Sequence, residues 1–399
     1  MNAPAVNPIV LRWARDTAGL SLDDAARALG IKSADRLLSY EVGDAAPSRS
    51  LLLRMSKQYR RSLLTLYLEA PPREAGHGRD FRTLPADRDE VADARLGALL
   101  RDVAGRQELV RATLVEEEER EPLRFVRSGK IDDGVERLAK NISQEIGFRL
   151  DEYRAARSTI EAFGYLRALS ERSGVFVLLL GNLGNHHSSI PVETFRGFAI
   201  ADPVAPFVVI NDQDSKTAWS FTLLHELAHL WLGETGVSGS SADHVTERFC
   251  NDVASALLLP AAELSELLNA EALDANDLVE LLRAFASKRY VSTQLVAYRL
   301  YLAGRLSRAK WMAVDQQIQA MWRTERAKEK AARADDAGPS FYVVRAHRLG
   351  SALLSFVDAG LKSGSLTVAK AAKLLGVKPR SVSPLLGSAA GLTKERGRK

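Results

Sequence analysis

The 399-residue sequence contains a single cysteine, Cys250, which excludes an intrachain disulfide. This scarcity is typical of proteins from a reducing compartment, so we expect a cytoplasmic protein. No apolar run approaches the roughly 18 residues that a membrane span requires, so we expect no membrane partner. The first residues also lack the basic-then-apolar pattern of a secretory signal peptide.

The composition is typical of a globular protein, with 46% hydrophobic and 26% charged residues. The chain is longer than the roughly 100–200 residues of one domain, which predicts two or three domains. The net charge of +5 slightly favours a nucleic-acid partner.

Residues 8–72 are predicted to form short helices joined by tight turns. The stretch "SLDDAARALG" opens on Ser21, a residue type that caps helix N-termini, and closes on Gly30. The next helix, in "SADRLLSYEVG", again begins at a serine and stops at Gly43. These signals predict an all-α domain. The charge-rich residues 73–139 come after it and are predicted to form a solvated helical connector.

A small sheet is predicted where the periodicity changes, near residue 140. The apolar run "VFVLLLG" predicts a buried strand, and "FRGFAIAD" and "PFVVIND" predict two more. Helices are then expected near 243–258, 261–286 and 292–306. The sequence therefore predicts an α+β protein, mostly α, whose sheet belongs to a domain at 140–306.

The C-terminal part is predicted to be helical. Residues 307–339 are charge-rich and predict a linker helix. Residues 340–399 predict a small helical domain with a basic tail. Within it, "SLTVAKAAKLLGVKPRSVSPLL" is similar to a second small helix-turn-helix pattern.

The motif "HELAH" at 225–229 predicts a metal site. Helical pitch puts His225 and His229 on one face, where both imidazoles can reach one ion. Glu226 projects from the same turn and can take a proton from water at that ion. The alternative is a surface pair of histidines bound to acids. The apolar flanks favour the metal, because buried imidazoles need a partner.

The third ligand is expected on the next amphipathic helix, "DHVTERFCNDVASALLLP", which offers His244, Glu247 and Asp252. We choose Glu247, because His244 lies at the predicted helix start, where orientation is less fixed. Asn251 is one turn further on and either hydrogen-bonds a ligand or the backbone beside it, or is an ordinary polar helix residue. Cys250 is interpreted as a small buried apolar residue rather than a ligand.

These two helices, with the strands before them, resemble the ImmA/IrrE family of metallopeptidases. The family pattern is H-E-x-x-H followed by E-x-x-x-N-x-x-A-x-x-L-L-x-P. It falls here on His225, Glu226, His229, Glu247, Asn251, Ala254, Leu257, Leu258 and Pro260. The resemblance implies one zinc ion per chain held by His225, His229 and Glu247, with Glu226 as the general base. Members of the family include proteases that cut a helix-turn-helix repressor.

The N-terminal block, "LSLDDAARALGI" followed by "KSADRLLSYEVGDAAPS", resembles the Xre-type helix-turn-helix. The resemblance implies binding to a double-stranded DNA operator, and a homodimer on two half-sites. Asp35 would repel phosphate, so a domain kept for protein contacts is the alternative. The candidate DNA contacts are Lys32, Ser33, Arg36 and Ser39 on the recognition helix, with Arg49 and Arg54 near phosphates.

The leading hypothesis is a zinc-dependent endopeptidase that is also a DNA-binding transcriptional regulator. It would cleave a repressor or antitoxin-like protein encoded nearby, in a stress, phage or mobile-element response. The strand "PFVVIND" is predicted to pair with the extended substrate peptide. The alternative is a DNA-binding antitoxin whose cognate toxin is encoded nearby and whose metal site is structural or idle.

Overall fold

The computed structural model describes residues 6–72, 89–117, 121–184, 188–237, 244–267, 270–332 and 340–388. The predicted basic tail and parts of the predicted connector and linker lie outside these ranges. The chain divides into two compact units. The first unit is Met1–Gly105 with Gly181–Phe195, and the second is Arg106–Leu180 with Arg196–Lys399.

The first unit is helical, as predicted. Ser21, Ser33 and Ser48 each accept a backbone hydrogen bond at the start of a helix, which fixes where these helices begin. Its core contains Leu11, Leu37 and Met55, which are at most 1% exposed. Its helices are α1 (Pro8–Asp16), α2 (Leu22–Leu29), α3 (Ala34–Glu41), α4 (Arg49–Gln58), the 3-10 helix Leu63–Tyr67 and the first part of α5 (Glu90–Glu116).

A buried ion pair connects α1 to α3. Nε and Nη2 of Arg15 donate to the two carboxylate oxygens of Glu41, both at 2.8 Å. Nη1 of Arg15 also donates to the Leu20 carbonyl. Because both side chains are buried, removal of Arg15 would leave the Glu41 carboxylate without its cation, at a cost of about 3–5 kcal/mol.

The second unit contains a four-stranded sheet with the order β1-β3-β2-β4. Its strands are β1 (Phe176–Leu179), β2 (Gly197–Ile200), β3 (Phe207–Ile210) and β4 (Gly236–Val237). β3 pairs with β1 in parallel and with β2 in antiparallel register, and β4 pairs antiparallel with β2. The prediction that β3 pairs with a substrate peptide is therefore wrong, because both edges of β3 are already bonded to neighbouring strands.

Both faces of this sheet are covered. Val177 and Ile210 point into the core that includes residues of the helix carrying "HELAH". On the opposite face Phe176 stacks on Phe207, with ring centroids 4.9 Å apart, and meets Phe356 at 6.1 Å. A sheet buried on both faces needs continuous apolar strands, which is why "VFVLLLG" shows no alternation.

After the end of α5, the α-helices of the second unit are α6 (Val135–Ile146), α7 (Leu150–Arg154), α8 (Thr159–Arg172), α9 (Lys216–Leu232), α10 (His244–Leu258), α11 (Ala275–Ser287), α12 (Thr293–Leu302), α13 (Arg308–Ala332), α14 (Phe341–Ser363) and α15 (Val368–Leu375). Three of these helices, α8, α9 and α14, pack against the sheet. Short 3-10 helices occur at Ile131–Asp133, Ala261–Leu267, Ala270–Ala272 and Pro379–Ser381. Within the described ranges, no helix has the length and apolarity needed to cross a bilayer.

Two helical predictions need correction. The continuous helix expected at 261–286 is interrupted, because Asp274 caps a new helix by accepting from the amides of Asn276 and Asp277. α5 is more buried than its charge pattern predicts. Arg106 and Gln107 are only 5% and 7% exposed, and both donate to backbone carbonyls in the second unit.

Candidate metal centre and DNA interface

The metal centre is built on α9, which packs against β2 and β3. This packing buries the functional side chains, with His225 4%, Glu226 0% and His229 8% exposed. The helix ends at Gly233, whose φ of +76° lies in the left-handed region that glycine adopts without strain. α9 therefore presents the "HELAH" residues from a buried element.

The neighbouring helix α10 brings Glu247 to the two histidines. The Nε2 atoms of His225 and His229 are 3.1 Å apart. Glu247 places one carboxylate oxygen 3.4 Å from Nε2 of His225 and the other 3.3 Å from Nε2 of His229. A tetrahedral zinc site with bonds of about 2.0–2.1 Å has ligand atoms about 3.3–3.4 Å apart, so these three donors fit such an ion.

The charges at this centre also favour a cation. Burial alone would raise the pKa of Glu247, but hydrogen bonds from His225 and His229 outweigh it and lower the pKa to about 2. Burial alone would lower the pKa of His229, but hydrogen bonds with Cys250, Glu234 and Glu247 raise it. The cluster therefore stabilises positive charge, which a divalent ion supplies without a proton.

Glu234, which the sequence did not predict as part of the site, contacts the ring of His229. Its Oε2 lies 3.4 Å from Nδ1 of His229, the ring nitrogen that faces away from Glu247. Carboxylates in this position fix the tautomer and orientation of a ligating histidine. The signal that could have found it is an acidic residue directly after Gly233, the residue that ends α9.

Gly197 of β2 directly approaches the carboxylate of Glu226. A Cβ atom at residue 197 would lie 2.6 Å from Oε1 of Glu226 and 2.7 Å from Cγ2 of Thr222. Real Cβ atoms do not come this close to other heavy atoms, so only glycine leaves room for Glu226 here. Strand β2 therefore forms one wall of the Glu226 site.

The remaining candidates on α10 have other contacts. Asn251 is half-buried, and its backbone carbonyl accepts from Ser255 Oγ at 2.6 Å. Asp252 accepts from the Tyr298 hydroxyl at 2.9 Å, outside the metal cluster. Cys250 is fully buried, and burial raises the pKa of its thiol despite the hydrogen bond with His229.

Apart from Arg49 and Arg54, which lie on α4, the candidate DNA contacts lie on α3 or just before it. Lys32, Ser33 and Arg36 are exposed there, and the Arg36 guanidinium lies 5.0 Å from the Tyr40 ring centroid. The two serine hydroxyls already form hydrogen bonds with the backbone of α3. Ser33 Oγ accepts from the Arg36 amide at 3.2 Å, and Ser39 Oγ donates to the Arg36 carbonyl at 2.8 Å. The recognition surface therefore rests mainly on the two cations.

The fold and the site define a helix-turn-helix unit followed by a helix pair of the metallopeptidase type. Residues 11–66 match the family model for the helix-turn-helix, and residues 182–301 match the model for the IrrE N-terminal-like domain of the Peptidase_M78 family. Two segments of the chain, in this order, thus match the Xre-type helix-turn-helix and the ImmA/IrrE-type families, which confirms the predicted resemblance. No curated protein and no solved structure gives a significant match to this chain.

Proposed function

We propose that the chain is a zinc-dependent endopeptidase and a DNA-binding transcriptional regulator. Residues 140–306 would be the peptidase domain and residues 8–72 the DNA-binding domain. One observation carries the enzymatic part: the Nε2 atoms of His225 and His229 lie 3.1 Å apart, and each lies within 3.4 Å of a carboxylate oxygen of Glu247, close enough for one ion to bind all three residues.

In this mechanism His225, His229 and Glu247 would hold the zinc ion, with three protein ligands as in other catalytic zinc sites. When bound, the ion supplies Lewis-acid polarisation of the scissile carbonyl and makes water more acidic. Glu226 takes the proton from the attacking water and then gives it to the leaving amine. Glu234 keeps the His229 ring oriented through Nδ1.

The substrate that we propose is a repressor or antitoxin-like protein encoded nearby, cut in a stress, phage or mobile-element response. Two features support a selective rather than a digestive enzyme. The peptidase domain is in the same chain as a DNA-binding domain. Glu226 is also completely buried, so only a segment that enters the site can use it. Cleavage is therefore expected in a flexible segment of a folded partner.

For DNA binding we propose that Lys32, Ser33, Arg36 and Ser39 face the operator bases and that Arg49 contacts phosphate. The exposure of Lys32, Arg36 and Arg49 supports this assignment. A homodimer on two half-sites is part of the proposal. It is supported by large apolar side chains exposed on the first unit, of which Ile9 is 66% and Leu64 77% exposed.

The experiment is incubation of the purified full chain with the purified product of the neighbouring gene, with and without added zinc. We expect zinc-dependent cutting at one segment, read by intact-mass spectrometry. Glu226→Gln should slow cutting by about 10²–10⁴-fold, because a general base contributes that much. The variant should still bind its partner and DNA.

The antitoxin alternative gives a different outcome. The partner would form a stable complex and stay intact at every zinc concentration. The Glu226→Gln protein would then regulate its promoter as the wild type does. That pair of results would contradict the peptidase proposal and leave a DNA-binding protein with a structural metal site.

A further inference from the structure

The C-terminal helix α15 repeats the construction of α2. Each helix has eight residues and opens on a hydroxyl N-cap, Ser21 or Thr367, which accepts from the amide three residues later. Each ends on a left-handed glycine, Gly30 at φ 65° or Gly376 at φ 60°. The amide after that glycine donates to the carbonyl five residues earlier, at 2.9 Å in α2 and 3.0 Å in α15.

A second helical segment follows each of these glycines. In the first unit this segment is α3, which opens after Ser33. In the second unit it opens at Pro379, a residue type favoured at the first helical position, and continues to residue 388. The two segments bury apolar side chains with the same spacing of three residues. These are Leu37 and Tyr40 in α3, and Val382 and Leu385 in the later segment.

Two buried arginines hold the C-terminal end of α15, where the turn begins. Arg345 of α14 donates to the Leu375 carbonyl through Nε at 2.9 Å and Nη2 at 2.7 Å. Arg106 of α5 donates to the Leu374 carbonyl at 3.1 Å. The turn and the segment after it are thereby attached to the second unit at a defined position.

The charge of this region has one sign. Residues 359–388 contain five Lys or Arg residues and no Asp or Glu. Nζ of Lys362 lies 2.6 Å from Oδ2 of Asp358, so this cation is already paired. The other four cations are exposed: Lys370, Lys373, Lys378 and Arg380. In the first unit the equivalent second position of the helix after the turn carries Asp35, whereas here it carries Arg380. Cations at this place in a helix-turn-helix meet phosphates when the second helix enters the major groove.

We propose that residues 367–388 are a second DNA-binding surface, which contacts the backbone of double-stranded DNA through Lys370, Lys373, Lys378 and Arg380. The helix-turn-helix family match covers residues 11–66, so this surface is additional to it. The inference rests on neither the metal centre nor the contacts proposed for α3. It goes beyond the proposed function, because it gives one chain two separate DNA contacts.

The test measures binding of the full chain to a random-sequence DNA duplex. Fluorescence anisotropy reports this binding at a series of salt concentrations. The variant replaces Lys370, Lys373, Lys378 and Arg380 with alanine. We expect its affinity to fall at least about tenfold near 0.1 M salt, and the slope of log affinity against log salt to decrease by about 2–4.

A matched control replaces four exposed cations elsewhere in the second unit, namely Lys140, Arg172, Lys288 and Arg308. It has the same net charge as the test variant and should keep the wild-type affinity and slope. Circular dichroism checks that both variants fold. Equal affinities and slopes in the two variants would overturn the proposal.

A positional measurement separates contact from long-range attraction. Cys250 is buried, so an exposed cysteine introduced by Ser383→Cys can be labelled selectively with a photocrosslinker. Crosslinks to the duplex are expected from residue 383 and should persist when Arg36 and Arg49 of the first unit are both changed to alanine. Absence of crosslinks from this position, with wild-type affinity intact, would also overturn the proposal.

Discussion

The metal centre and the N-terminal recognition surface place their functional side chains in opposite environments. His225, Glu226 and His229 are at most 8% exposed, on a helix packed against a sheet. Lys32 and Arg36 project into solvent from the start of α3. A buried polar group must find its partners among few neighbours, so packing dictates its geometry. An exposed cation has no such restriction.

This difference predicts different responses to mutation. At the metal centre one displaced atom changes a set of distances that spans only 3.1–3.4 Å. At the recognition surface each side chain adds a separate contact, and the loss of one leaves the others in place. We therefore expect sharp losses at the metal centre and gradual ones on α3.

The largest effect should come from the ligands. His229→Ala or Glu247→Ala removes one of three donors, so metal content measured by mass spectrometry should fall from about one ion per chain to near zero. Glu226→Gln should keep its metal, because we assign that residue to water. Asp252→Asn is a control on the same helix, since Asp252 contacts Tyr298 instead. Normal metal occupancy in His229→Ala would contradict the ligand assignment.

Gly197→Ala tests whether packing alone can disable the centre. The new Cβ would lie 2.6 Å from Oε1 of Glu226, so the carboxylate must move while the ligands stay. We expect cleavage to slow by about 10²-fold, the lower end of what loss of a general base costs, with metal content unchanged. Gly236→Ala on β4 is the control, because no atom lies within 4 Å of its added Cβ. Unchanged cleavage by Gly197→Ala would mean that β2 does not constrain Glu226.

The sequence predicted those parts of the site that follow from spacing within one helix. His225 and His229 share one face of α9, Glu226 projects from the same turn, and Glu247 comes from a second amphipathic run. Gly197 was missed because its contact with Glu226 joins residues far apart in the chain, which no local pattern records. Glu234 was missed because it lies just beyond the helix, where periodicity gives no signal.

The fold likewise has features that local sequence patterns predict and features that they do not. The three longer strands were predicted from apolar runs, but β4 has two residues and carries no periodicity. The order β1-β3-β2-β4 could not be predicted, since an apolar strand does not specify its neighbours. That order placed β3 inside the sheet and removed it as a partner for a substrate peptide.

Glu234→Gln should have an intermediate effect, because Glu234 supports a ligand from a half-exposed position. Its side chain is 47% exposed, and the change removes its charge while keeping its size. We expect metal affinity, measured by competition with a chelator, to fall about 10–100-fold, as when other groups that hydrogen-bond a metal ligand are removed. Glu152→Gln, at 51% exposure, is the matched control. If both variants bind metal equally well, Glu234 does not orient His229.

The smallest effects are expected on the N-terminal recognition surface, where two exposed arginines should behave differently from each other. Arg36 lies in the first turn of α3, so Arg36→Ala should reduce the preference for the promoter over random DNA by roughly 5–100-fold, the value of one base contact. Arg49 opens α4 and is assigned to phosphate, so Arg49→Ala should weaken all sequences alike and lower the salt slope by about 1. Gel shifts with both duplexes at several salt concentrations separate the two effects. Equal binding of promoter and random DNA by the wild-type protein would instead show that this surface contacts proteins, because a base-reading helix must distinguish the two.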